Sequence, residues 1–381
     1  MRNFTYCNPT KIVFGKGVNE LVGKEIARQG YKRIVLIAGS GSIKENGVYD
    51  AVASSLKSAQ IKWHEVWGVR ANPVVSTVRD AIAHARSFHA DAILAVGGGS
   101  VIDSAKATAA GVYVDDVWDI FEEKVKIKKA LPLFCVLTIS ATGSEMNPYA
   151  VITNEEESKK WSTGGEVLYP AVSFIDPSVQ QSLPKMQTVY GAVDALSHCL
   201  EYYFLGNGDE ITLAVNEAVQ RSIIEATDIL VAASDNYPAR ANLAWAATVA
   251  LNGITGVALR GGDWAVHAIE HGISALHSEI AHGAGLSVLY PAWIAMVHTK
   301  KPEIFARWAC KVWGGASVEE GITRLKEKLS SWGAPITLRE LHISQADIPH
   351  IADNVCVDGY QPGVIQKFER SDVETLLQKC F

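Results

Sequence analysis

The chain has 381 residues, 48% hydrophobic and 20% charged, which is enough apolar material for sizeable cores and about two domains. Lys and Arg number 35 against 41 Asp and Glu, a formal net charge of −6, and no basic block suggests a nucleic-acid or membrane surface, so neither partner is expected. Six cysteines, Cys7, Cys135, Cys199, Cys310, Cys356 and Cys380, are scattered without C-x-x-C spacing, so reduced thiols in a cytoplasmic protein are expected rather than a zinc ribbon or a disulfide scaffold.

In chain order, Arg33–Ala38 is an apolar run that ends in Gly39-Ser40-Gly41-Ser42, a buried strand feeding a tight turn. A helix over 44–58, a strand over 61–66 and an amphipathic helix through Val78, Ile82 and Ala85 follow. Then the pattern repeats: strand 91–96, the turn Gly97-Gly98-Gly99-Ser100, and a helix over 101–110 with Ser100 as N-cap. Strands alternating with helices predict βαβ units, a parallel sheet and a nucleotide site at the strands' carboxyl ends. Three successive glycines permit positive φ and close backbone approach, and the next helix offers free N–H groups to a pyrophosphate. The same run is also what a plain tight turn looks like, and it departs from G-x-G-x-x-G.

Leu133–Thr138 reads as another strand, running into a hydroxyl-rich loop through Ser144 that either caps a helix or lines a cofactor. Strands over 149–153 and 172–175 flank the charged stretch 155–160, read as a solvated hairpin tip or loop. Beyond about 180 the β-branched runs give way to helical periodicity: 186–205, 210–233, 239–257, 264–276, 281–298, 302–313 and 318–332. The expected division is an α/β dinucleotide-binding domain over 1–182 and an all-helical domain over 183–381.

Asp194 and His198 stand four apart, so a helix would turn an oxygen and a nitrogen ligand to one face. Alone, such a pair is more often a satisfied polar pair or chance. His267 and His271 repeat the spacing, and His282 opens the next apolar segment; Asp194, His198, His267 and His282 make a plausible set for a divalent transition ion with a position open to a substrate oxygen. His271 and His277 are left for a supporting or proton-transfer role, or for ordinary core hydrogen bonds.

Taken together, Gly97-Gly-Gly-Ser-Val-Ile-Asp103-Ser-Ala-Lys106, Ala141-Thr-Gly-Ser-Glu145, Asp194-x-x-x-His198 and His267-x-x-x-His271 followed by His282-Gly resemble the iron-containing alcohol dehydrogenases, in order over most of the chain. Gly39-Ser-Gly-Ser-Ile-Lys44 and Lys160 look like that family's butanol dehydrogenase and broad aldehyde reductase branch. The resemblance implies a Rossmann-like α/β domain and an all-α metal-binding domain of dehydroquinate synthase-like architecture, with the active site in the cleft between them. It also implies Asp194, His198, His267 and His282 as ligands of Fe²⁺ or Zn²⁺, and a homodimer; the proton for the alkoxide would come through His271 or the cofactor ribose. For the cofactor it implies Gly39, Ser40, Gly41, Asn72, Gly97, Gly98, Gly99, Ser100, Asp103, Thr138, Thr142, Ser144 and Lys160. The branch spaces its last two ligand histidines one residue closer than here, which makes His277 a rival for the fourth position; the Gly-x-Gly-Leu after His282 favours His282.

An acidic residue at the end of the second strand would bind the ribose diol of NAD and repel a 2′-phosphate. Ala38-Gly39-Ser40-Gly41 carries none, and Lys160 can pair with phosphate, so NADP is expected over NAD. A polyol dehydrogenase of the same fold, a metallohydrolase and a non-catalytic nucleotide- or metal-binding protein are the alternatives.

Overall fold

Five of the expected strands belong to one six-stranded sheet. The computed structural model describes residues 2–381. The sheet contains β1 (Lys11–Phe14), β2 (Arg33–Ala38), β3 (Lys62–Val66), β4 (Ala92–Gly97), β5 (Leu133–Leu137) and β8 (Val172–Ile175), in the order β1-β8-β5-β4-β2-β3, every pair parallel. A separate antiparallel hairpin, β6 (Tyr149–Asn154) and β7 (Lys159–Gly164), carries Glu155, Glu156, Glu157 and Ser158 at its exposed tip.

Continuous apolar runs are what a sheet covered on both faces requires. Ile34, Leu36, Leu94, Val96, Phe134 and Val136 bury against α1 (Val22–Arg28) and α2 (Val48–Ser58). The alternate residues Val35, Ile37, Ile93, Ala95, Leu133 and Cys135 bury against α3 (Val75–Ser87) and α4 (Gly99–Gly111). Chain order reverses between β2 and β4, so Ala38 pairs with Val96 and the segments leaving both strands emerge side by side at a topological switch point.

The second half is helical: α5 (Lys185–Tyr203), α6 (Glu210–Ala232), α7 (Tyr237–Ala250), α8 (Ala265–Leu276), α9 (His282–Val297), α10 (Pro302–Lys311), α11 (Val318–Trp332), α12 (Asp347–Val355) and α13 (Arg370–Lys379). The chain forms two compact units: Cys7–Leu183 with Ser234–Ala244, and the remainder. A single cut after 182 does not describe this division, because Ser234–Ala244 returns to the α/β unit.

Three local expectations are corrected. The helix expected over 44–58 is broken by Gly47 at φ 78°, leaving a short turn Ser42–Glu45 before α2. Ser100 is not an N-cap: α4 begins at Gly99 with Gly98 in the cap position and no side-chain cap, so Ser100 already lies in the first turn. The helix expected to reach 257 stops at Ala250, and Gly253 at φ 97° starts a separate 3-10 turn, Ile254–Gly256. All six cysteines are free thiols. Among the described residues, no helix is long and apolar enough to cross a membrane.

Candidate metal centre and dinucleotide cradle

In the α/β unit, the glycine run after β4 is shaped by crowding rather than by positive φ. Gly97, Gly98 and Gly99 are absent from the positive-φ glycines, and Gly98 has φ −88°. A Cβ on Gly98 would lie 2.1 Å from Ile139 Cγ2, one on Gly99 would lie 2.5 Å from Thr142 Oγ1, and one on Gly97 would lie 2.5 Å from Val101 Cγ2. The absent side chains bring the start of α4 against the loop after β5, where Thr138 N–H donates to the Gly97 carbonyl at 3.0 Å. The N-terminal N–H groups of a 13-residue helix are thereby presented at the sheet's carboxyl edge, the geometry that suits a pyrophosphate.

The same loop is clamped from below by a fully buried lysine. Lys106 Nζ donates to Ser144 Oγ at 2.7 Å, Asn147 Oδ1 at 3.1 Å and the Tyr149 carbonyl at 2.7 Å. Ser144 Oγ donates to Asp103 Oδ1 at 2.6 Å, and Val151 N–H donates to Asp103 Oδ2 at 3.0 Å. Burial lowers the Lys106 pKa to about 8 against the opposing pull of Asp103. Asp103 and Ser144 thus belong to a buried hydrogen-bond network, in which Ser144 bridges Lys106 to Asp103, that fixes the loop bearing Thr142. A buried charge is tolerable only when satisfied in this manner.

Gly39, Ser40 and Gly41 leave the neighbouring strand β2 at the surface; Gly41 has φ 137°. Gly68 N–H donates to the Gly39 carbonyl at 3.2 Å, which ties this turn to the end of β3. Lys160 on β7 is buried, and its Nζ donates to Asn72 Oδ1 at 3.0 Å; Asn72 itself has φ 53°.

In the helical unit, close packing brings three helices' histidines to one carboxylate. A Cβ on Gly283 would lie 2.1 Å from the Tyr190 carbonyl of α5, and one on Gly285 would lie 2.7 Å from Glu270 Cγ of α8. The two glycines after His282 therefore let the start of α9 approach α5 and α8 together. Around Asp194 Oδ1 stand His198 Nε2 at 3.5 Å, His282 Nε2 at 3.6 Å and His267 Nε2 at 3.8 Å. Asp194, His267 and His282 offer ligand atoms that all lie within 4.8 Å of one another, while His198 stacks on His267 with ring centroids 5.0 Å apart. His277 lies elsewhere, its nitrogens 3.7 Å from Glu279 and 3.9 Å from Asp347. His271 sits beside His282, ring centroids 5.5 Å apart, and groups with Glu270 and His282.

The donor set fits a divalent cation. Asp194 Oδ1 and His267 Nε2 are buried without a hydrogen-bond partner, and an orphaned carboxylate oxygen in a dry pocket is costly unless a positive charge meets it. Electrostatics agree in sign. Burial would raise the Asp194 carboxyl, but His198, His267 and His282 hold it well below the usual carboxylate range. Burial pushes His198 down to about 3, keeping its imidazole neutral. At His267 burial opposes the charge, yet the Asp194 and Glu201 carboxylates prevail and raise it to about 9.

Two residues near the centre were given no role by sequence reasoning. Glu201 accepts from His267, and Glu270 from His282. A signal for the first was present: Asp194, His198 and Glu201 follow i, i+4, i+7 on one helix face.

A doubly covered parallel sheet with a glycine cradle at its switch point, joined to a helical unit bearing a carboxylate–imidazole cluster, defines the class of dehydrogenases that pair a metal with a nicotinamide dinucleotide. The family models agree with this: "Iron-containing alcohol dehydrogenase" matches residues 9–177, and "Fe-containing alcohol dehydrogenase family, C-terminal" matches 188–381. The chain is 41% identical to the probable NADH-dependent butanol dehydrogenase 2 of Bacillus subtilis, covering 99% of each chain. It is 32% identical to the NADPH-dependent aldehyde reductase YqhD of Escherichia coli, covering 98% of this chain and 97% of that one. The crystal structure of NADH-dependent butanol dehydrogenase A from Thermotoga maritima superposes with a TM-score of 0.98 at 49% identity, over 100% of this chain and 99% of that one. The chain belongs to the iron-containing alcohol dehydrogenase family and is an oxidoreductase; membership implies a metal ion and a nicotinamide cofactor.

Proposed function

We propose that this protein interconverts primary alcohols and aldehydes of the butanol and butyraldehyde kind, with NADP(H) preferred to NAD(H) and Fe²⁺, or Zn²⁺, held by Asp194, His198, His267 and His282. The observation that carries the reading is the convergence of three imidazole Nε2 atoms on Asp194 Oδ1, in a buried pocket that favours positive charge. When bound, the ion supplies Lewis-acid polarisation of the substrate oxygen and the reduced nicotinamide supplies hydride. The chain's own residues bind and orient. Gly97, Gly98, Gly99 and Ser100 accept the pyrophosphate at the start of α4; Thr138 and Thr142 line the cofactor, with Asp103 and Ser144 holding their loop. Gly39, Ser40, Gly41, Asn72 and Lys160 serve the adenosine side. His271, beside His282, holds and passes a proton toward the substrate oxygen.

The cofactor preference is supported by the uncharged end of β2 and by Lys160; relatives named for NADH and for NADPH both occur. We further place the protein in the cytoplasm, which suits six free thiols, and as a homodimer, which sedimentation tests.

Asp194→Ala loses bound metal and turnover together, measured by elemental analysis and by NADPH oxidation with butyraldehyde; an active, metal-free variant would contradict the site. Catalytic efficiency is higher with NADPH than with NADH, and Lys160→Ala reduces that ratio by about tenfold, the weight of one lost charge-assisted pair. A higher efficiency with NADH in the unaltered enzyme sinks the NADP assignment.

A further inference from the structure

Two of the three imidazoles in the cluster have a buried carboxylate behind them, and the third has none. His267 Nδ1 donates to Glu201 Oε1 at 2.6 Å, and His282 Nδ1 donates to Glu270 Oε2. Glu201 is 1% exposed and Glu270 fully buried, so neither contact is a solvent-screened surface pair. Both carboxylates are themselves fixed: Glu201 Oε2 accepts the Trp264 N–H at 2.5 Å, and Glu270 Oε2 accepts from Ser274 Oγ at 3.3 Å. By contrast His198 Nδ1 is buried with no hydrogen-bond partner.

We propose that Glu201 and Glu270 are positioning residues that determine how tightly the metal is held. This rests on the ligand set proposed above. Each carboxylate keeps the proton of its imidazole on Nδ1, which leaves Nε2, the atom facing Asp194, as the lone-pair donor. Each also makes that donor more basic, as an outer carboxylate does in carboxylate–histidine–metal arrangements. Charge works in the same direction. Asp194, Glu201 and Glu270 place three carboxylates around one buried centre, so a dication with neutral imidazoles leaves a formal net charge of −1 rather than the +1 given by Asp194 alone. His267 and His282 are the electron-rich arms of the site, and His198 is the weaker one.

The test uses the full-length chain stripped with chelator and Zn²⁺ alone as the probe, its dissociation constant read by competition with a chromophoric chelator. Glu270→Gln and Glu201→Gln each preserve size and one acceptor oxygen while removing the charge. Each is expected to weaken Zn²⁺ binding by about 10–100-fold, with the melting temperature of the stripped protein unchanged within a few degrees. Affinity within twofold of the unaltered protein in both variants overturns the proposal, and so does a loss of affinity that merely follows a loss of stability in the stripped protein. Glu201 serves two donors on two oxygens; where its variant loses stability, Glu270→Gln alone decides. If the unaltered protein takes up no Zn²⁺, the ligand set fails and this inference fails with it. Equal uptake by all three proteins sinks the inference alone.

Discussion

Gly97-Gly98-Gly99 and Gly39-Ser40-Gly41 leave neighbouring strands of one sheet, and glycine is needed there for opposite reasons. In the first run no residue has positive φ, but each missing Cβ would collide with a neighbour. In the second, Gly41 has φ 137° with nothing within 4 Å of where its Cβ would stand. One run is about room and the other about backbone angle. The difference matters for function, because a crowded turn fixes the distance between two elements whereas an open, left-handed one only redirects the chain.

The contrast can be broken most forcefully at Gly98. Gly98→Ala sets a methyl 2.1 Å from Ile139 Cγ2 and is expected to destabilise the fold by about 2–3 kcal/mol, with a raised KM for the nicotinamide cofactor. Adding Ile139→Ala removes that atom and should recover most of the loss; denaturant unfolding of both variants checks it. If the single variant is as stable as the parent, crowding is not the reason for glycine there. Gly41→Ala should cost about 1–2 kcal/mol of pure backbone strain, and trimming neighbours cannot rescue it because none is near. Gly39→Ala is expected to change stability by less than about 0.5 kcal/mol, since its Cβ would meet only the Val69 carbonyl at 3.4 Å. A loss there as large as at Gly98 would erase the distinction between the two turns.

Much of this architecture was legible because covered parallel strands write themselves as uninterrupted apolar runs. β2, β4, β5 and β8 are of that kind, every residue buried in the last three. β1 was not legible: its four residues, Lys11 to Phe14, have exposed ends and only partly buried middles, because it is an edge strand. α12 and α13 were missed for a related reason, being 9 and 10 residues long and rich in charge or interrupted by Pro349. Of the two properties expected of the glycine run, close approach is the one the fold uses and positive φ is not; that Ile139 and Thr142 are the neighbours approached is visible only in three dimensions. The histidines were readable as helical pairs. Glu201 and Glu270 were harder, because a glutamate on a helix is ordinarily a solvated residue, and nothing local reports that a histidine 66 or 12 residues away will donate to it.

The return of Ser234–Ala244 to the α/β unit bears on how the protein can be taken apart. Ala244 is completely buried within the core formed by Val35, Ile93 and Cys135, and Gln181 Nε2 donates to the Asp235 carbonyl. A fragment ending at residue 183 therefore lacks a plug from its own hydrophobic interior, although every strand of its sheet is present. Domain exchange between relatives would have to carry this eleven-residue segment along with the N-terminal half, as a discontinuous transplant rather than a splice at one junction.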